Sequence, residues 1–141
     1  MICRLGIVAL IAVSLAGCGS SALNFMSSSE KPVDPNLVPT NFKTEILRTI
    51  PSIVEDQTGI REAFYSEPMI DPKSSVSVYT SCVKFNARNS LKQYSGSKTY
   101  ILYYYGGHLQ QMVPAEQDQC RFATYQPFPE VERLCVGRGC S

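Results

Sequence analysis

The run Tyr100-Ile101-Leu102-Tyr103-Tyr104-Tyr105 leads into Gly106-Gly107 and then Leu109 to Val113, which Pro114 closes. Tyrosine and β-branched residues favour the pleated, half-buried surface of a sheet. Two glycines between two such runs mark a two-residue hairpin turn, because they accept the positive φ that tight hairpins need. Proline cannot donate to a ladder and ends the return strand. A chain carrying this stretch must build an antiparallel sheet. Successive side chains in a strand point to opposite faces, so at least half of these tyrosines serve packing rather than stacking on sugar rings.

Two more strands precede the hairpin. Ser75 to Asn86 is rich in Ser, Val and Tyr, with Val76, Val78, Thr80 and Cys82 on one side and Tyr79, Val83 and Phe85 nearby. Ile60 to Met69 places Ala63 and Tyr65 on one face and Phe64 on the other, bounded by Pro68 and Pro72. Before them Phe42, Ile46, Ile50 and Ile53 or Val54 recur at helical spacing, which predicts a helix over 41–55. Asn41 is placed to cap it, Pro51 to kink it or end its first part, and Gly59 to stop it. After Pro114 the sequence predicts a short helical turn over Glu116 to Ala123 and an extended Tyr125-Gln126-Pro127-Phe128-Pro129, while 130–135 carries no clear pattern. One apolar stripe on a helix needs a partner surface. The expected fold is therefore α+β, an N-terminal helix packed on a small antiparallel sheet of three to four strands.

The first residues carry a different signal. Arg4 precedes an apolar run from Leu5 to Val13, too short for the roughly 20 residues of a spanning helix. Leu15-Ala16-Gly17-Cys18 then ends it with small residues, the order of a bacterial lipoprotein signal in which Cys18 becomes the first mature, lipid-bearing residue. Residues 19–39 are rich in Ser and Pro without apolar periodicity, as suits a tether. The expected division is a signal peptide over 1–17, a flexible tether over 18–40 and one domain over 41–141. This places the protein on a membrane through its lipid, facing the periplasm. Because Gly19 and not Asp follows Cys18, the sorting scheme of enteric bacteria implies the outer membrane.

Of the six cysteines, Cys3 leaves with the signal and Cys18 takes the lipid. Cys82, Cys120, Cys135 and Cys140 remain, an even number that in a small exported domain argues for disulfides. Four cysteines allow three pairings. The tight loop from Cys135 to Cys140, with two glycines, favours Cys135–Cys140 together with Cys82–Cys120. No Cys-x-x-Cys pair exists and there is one histidine, so no metal or other cofactor is expected.

The chain has 13 Lys plus Arg against 12 Asp plus Glu, and loss of Arg4 leaves the mature protein formally neutral. Overall charge gives no case for a nucleic-acid partner. Its distribution is uneven. Glu45, Glu55, Asp56, Glu62, Glu67 and Asp71 precede an acid-free stretch from Lys73 to Ala115 that holds Lys84, Arg88, Lys92 and Lys98. These four cations and Tyr94 lie on a polar loop and its flanking strand ends, where they can meet phosphate or carboxylate groups of the envelope, though loop charges commonly face only water. His108 follows the Gly-Gly turn, and no nucleophile elbow accompanies it. Glu116 with Asp118, and Glu130 with Glu132, are i, i+2 neighbours rather than the cleft-facing pairs of a glycosidase. An enzyme is not expected.

The stretch Cys82-Val83-Lys84-Phe85-Asn86-Ala87-Arg88-Asn89-Ser90, with Tyr94-Ser95-Gly96, Gly106-Gly107, Gln119-Cys120 and the Tyr125 to Pro129 tail, resembles a set of small uncharacterised bacterial lipoproteins. The resemblance covers most of the chain after Phe42 and implies one domain with Cys82 and Cys120 as a pair, without an activity. Ser95-Gly96-Ser97-Lys98-Thr99-Tyr100 is also similar, more faintly, to the Ser-Gly-x-x-Tyr motif of membrane-bound lysozyme inhibitors, which are all-β. Two functions follow as expectations: a non-enzymatic envelope module that binds an envelope polymer or protein, or an inhibitor or binder of a cell-wall hydrolase acting through 86–98.

Overall fold

The structure, a computed structural model, describes residues 32–70 and 77–134. Helix α1 (Phe42–Ile53) is followed by β1 (Asp56–Tyr65), β2 (Met69–Ile70), β3 (Tyr79–Arg88), β4 (Lys98–Tyr105), β5 (His108–Pro114), β6 (Gln126–Pro127) and the short helix α2 (Pro129–Glu132). The strands make one sheet in the order β5-β4-β3-β1-β6, with β2 added to β3, every pairing antiparallel. The fold is α+β as expected. The sheet is larger than the three to four strands predicted, because β2 and β6 are two residues long and carry no readable periodicity. Helix α1 forms where the 41–55 stripe predicted it, within the chain rather than at its N-terminus.

The hairpin forms where the glycines predicted it. Gly106 and Gly107 take φ of 59° and 80°, and Tyr105 pairs with His108. A register shift between Tyr103 and Tyr104 lets both Leu109 and Met112 pack on the core despite their odd separation, since each stays opposite an inward residue, Tyr104 and Leu102.

Four expectations need correction. Asn41 occupies the N-cap position, but its side chain makes no capping bond. Gly59 does not stop α1, which has already ended at Ile53; it lies inside β1 at φ 71°, in a bulge. The strand expected over 60–69 is broken: β1 stops at Tyr65, and beyond it Ser66 bonds Cys82 through its amide (2.8 Å) and its hydroxyl (2.9 Å) before β2 resumes the pairing. Pro68, which has no amide proton, falls in that gap. Over 116–123 there is no helix, only turns closed by the amides of Gln119, Arg121 and Ala123.

The core lies on one face of the sheet. Phe42, Ile46 and Ile50 of α1 pack with Val83, Phe85, Tyr100, Leu102 and Tyr104. Phe128 and Val131, on the way into and within α2, are fully buried in the same cluster, and Phe128 meets Tyr65 edge to face at 5.0 Å. Ser81 and the Tyr104 hydroxyl satisfy each other at 2.9 Å inside this apolar layer. Burial pushes the Tyr104 phenol well above its ordinary range, and the Ser81 bond opposes that rise.

The opposite face of β3 is covered differently. Cys82 is joined by a disulfide to Cys120, with Cα atoms 6.0 Å apart, which pins the 115–125 segment across it. Next to Cys82 in the ladder stands Ile101, also buried. Cys18, Cys135, Cys140, the proposed signal, the beginning of the tether and the start of the strand expected from Ser75 lie outside the described residues.

Candidate functional site

The polar loop between β3 and β4 is where the sequence gathers its cations, and the structure folds the acid-rich segment against it. Antiparallel pairing of β1 with β3 sets Asp56 opposite Arg88. Asp56 Oδ2 lies 3.0 Å from Arg88 Nε and 3.1 Å from Lys92 Nζ, ion pairs by distance rather than aligned hydrogen bonds. Asp56 Oδ1 accepts from the hydroxyl (2.7 Å) and amide (3.0 Å) of Thr58. Those two bonds, ahead of Lys92 and Arg88, hold the Asp56 carboxyl far below the usual carboxylate range. Arg88 also donates to the carbonyl and hydroxyl of Thr58 through Nη2, at 3.0 and 2.6 Å.

The loop is tied down along its length. Glu55 accepts the Ser90 amide (2.6 Å), and Asn89 Oδ1 accepts the amides of Leu91 and Gln93. Lys92 turns through φ 62°, a conformation that non-glycine residues adopt infrequently. Tyr94 donates its hydroxyl to Gly59 O (2.6 Å), and the Arg61 guanidinium lies 3.7 Å from its ring centroid. Glu62, itself at φ 55° in the second bulge of β1, accepts from Ser97 (2.8 Å) and Asn86 (3.2 Å). The Ser97 bond first, then Asn86, lowers the Glu62 carboxyl.

Of the five residues expected to bind, Arg88, Lys92 and Tyr94 are thus brought together, and each is already engaged within the chain. Lys84 stands apart on β3, over the rings of Phe64 (5.1 Å) and Tyr125 (5.3 Å). Lys98 makes no ion pair among the described residues and borders a cleft of about 60 Å³ with Glu55, Arg88, Asn89, Ser95 and Gly96. That is room for a water or two, far below the several hundred Å³ of a small-molecule site. Two shallower clefts of about 250 and 170 Å³ lie along the 115–126 segment. The arrangement neutralises charge and stiffens a corner. Sequence reasoning saw the cations and overlooked their partners, although the acid block immediately upstream was the available signal.

The remaining titratable groups are scattered. His108 Nδ1 lies 2.9 Å from Glu45 Oε1, and the other oxygen of Glu45 accepts the Leu109 amide at 2.6 Å, linking α1 to β5. Asp118 pairs with Arg121 in the exposed turn. Glu132 reaches back to accept the Ala63 amide (3.0 Å) on the bulged edge of β1, while Glu130 is exposed. Among the described residues no three His, Cys, Asp or Glu side chains converge to hold a metal ion, and no helix is long and apolar enough to cross a membrane. No family model, curated protein or solved structure matches the chain.

Proposed function

We propose that this protein is a lipid-anchored envelope lipoprotein whose domain is a non-enzymatic binding or structural module. One observation carries the reading: Leu15-Ala16-Gly17-Cys18 follows a short apolar run and is followed by a Ser- and Pro-rich stretch. The Cys82–Cys120 disulfide agrees with it, since such bonds persist in oxidising compartments. A non-catalytic role is supported by the placement of His108 and the acid pairs, which do not converge, and by a loop whose charges are spent on one another. The lipid on Cys18, with Gly19 beside it, directs the domain to the periplasmic side of the outer membrane, where envelope polymer or another envelope protein is within reach. Relatedness to other small lipoproteins of the Cys82 to Ser90 type belongs to the same proposal.

The test is metabolic labelling of the full chain with palmitate in an enteric host. The wild type is expected to carry label and C18A to carry none; label persisting on C18A overturns the anchor. The inhibitor reading is separated by adding the purified protein to a lysozyme assay, where unchanged hydrolysis is expected.

A further inference from the structure

The segment that enters the domain carries an apolar face of its own. Residues 34–37 form a turn closed by the Leu37 amide on Asp34 O, and Gly106 donates its amide to Pro35 O (3.3 Å). A Cβ at Gly106 would collide with Val33, and one at Gly107 would press on Leu37 at 3.3 Å, so these glycines give the segment its seat on the hairpin turn. Val33, Leu37, Val38 and the adjoining Tyr105 are nevertheless 58, 54, 57 and 51 % exposed. Four large apolar side chains, half bare and gathered at one end of the sheet, are unusual for a free surface.

We infer that this patch rests on the lipid surface to which Cys18 is attached, an inference that depends on the lipoprotein reading. The chain supplies the argument. Thirteen residues, 19–31, separate Cys18 from Pro32. Fully extended, a chain of that length reaches at most about 50 Å. Val33, Leu37 and Val38 fall in the part of the 18–40 stretch that seats on the hairpin turn, so the anchor holds the patch at high effective concentration near the bilayer, where even a weak interfacial affinity suffices. Tyr105 adds the amphipathic ring favoured at the headgroup level. The 89–97 loop, with the isolated exposed Leu91, lies beyond the other end of β4, eight residues or about 26 Å away. It would then face away from the membrane.

The chain lacks tryptophan, so a single introduced indole reports its own surroundings. Full-length lipidated L37W, Y105W and L91W are reconstituted into neutral phosphatidylcholine vesicles whose acyl chains are brominated near the headgroup. Flotation first establishes that the protein is vesicle-bound. The expected result is a blue shift and loss of emission for L37W and Y105W and unchanged emission for L91W. Flotation with L37W and Y105W emission unaltered by bromine overturns the patch contact and leaves the anchor standing. Emission that shifts with protein concentration but not with bromine assigns the patch to a second copy and also overturns it. Failure to float removes the anchor and the inference with it.

Discussion

The two faces of β3 are closed by different means. On one, Val83 and Phe85 meet the helical stripe of Phe42, Ile46 and Ile50, a layer made by burying apolar area. On the other, Cys82 takes a covalent bond to a segment of turns, Lys84 lies over two aromatic rings, and Asn86 bonds Glu62. The difference shows how about 100 residues can enclose a sheet twice. There is enough apolar side chain for one layer, and a cross-link substitutes for the second.

The comparison is sharpened most by removing the cross-link. C82A/C120A is expected to cost about 4 kcal/mol, the chain-entropy value for bridging a separation of 38 residues, read from denaturant unfolding. A loss below about 1 kcal/mol would mean that the 115–125 segment holds without its staple. On the helical face, I50A removes a fully buried side chain and is expected to cost about 3 kcal/mol in the same measurement. S81A leaves the Tyr104 hydroxyl unpaired in the core and should cost about 1–2 kcal/mol, less when combined with Y104F, which removes both partners.

The smallest effect lies in pH dependence and separates the core from the loop corner. The Asp56 carboxyl is depressed in the folded state, so the stability it contributes is fully present above its unfolded value of 3.8 and is lost as pH falls through the lower folded value. D56N should flatten that acid limb in an unfolding-versus-pH series. Tyr104 behaves oppositely: its phenol is raised, so its contribution is present below the ordinary value of 10.0 and is lost as pH rises through the higher folded value. D56N is expected to leave the alkaline limb unchanged, and Y104F to change it alone. Movement of both limbs by either substitution would show that corner and core do not act separately.

The helix and hairpin were legible because their signals are local: an i, i+4, i+8 stripe, and glycines between β-prone runs. The Cys82–Cys120 pair was also reached from the cysteine count and the spacing of its alternative. What stayed hidden was set by partners distant in the chain. Gly59 looks like a helix stop, and its use in a bulge is visible only once β1 lies beside β3. Phe128 and Val131, between prolines and acids, show no periodicity, yet they complete the core under Tyr65. The basic stretch looked like a surface for anions because its neutralising acids lie 30 or more residues upstream. Charge blocks that alternate along a chain can be a pairing signal between strands rather than an address for a ligand.

The closure of β1 by the 126–132 segment has a consequence for the order of events in folding. The β3–β4–β5 meander rests on contacts close in sequence and can assemble early. β1 receives its other neighbour only when Gln126 and Pro127 pair with Tyr65 and Phe64, and the Phe128 amide reaches Ala63 O across 65 residues. Until then the most irregular strand of the sheet presents a bare edge, which is where a partly folded chain recruits a second one. The two-residue β6 closes that edge at Phe64 and Tyr65, the part of β1 that follows its bulges.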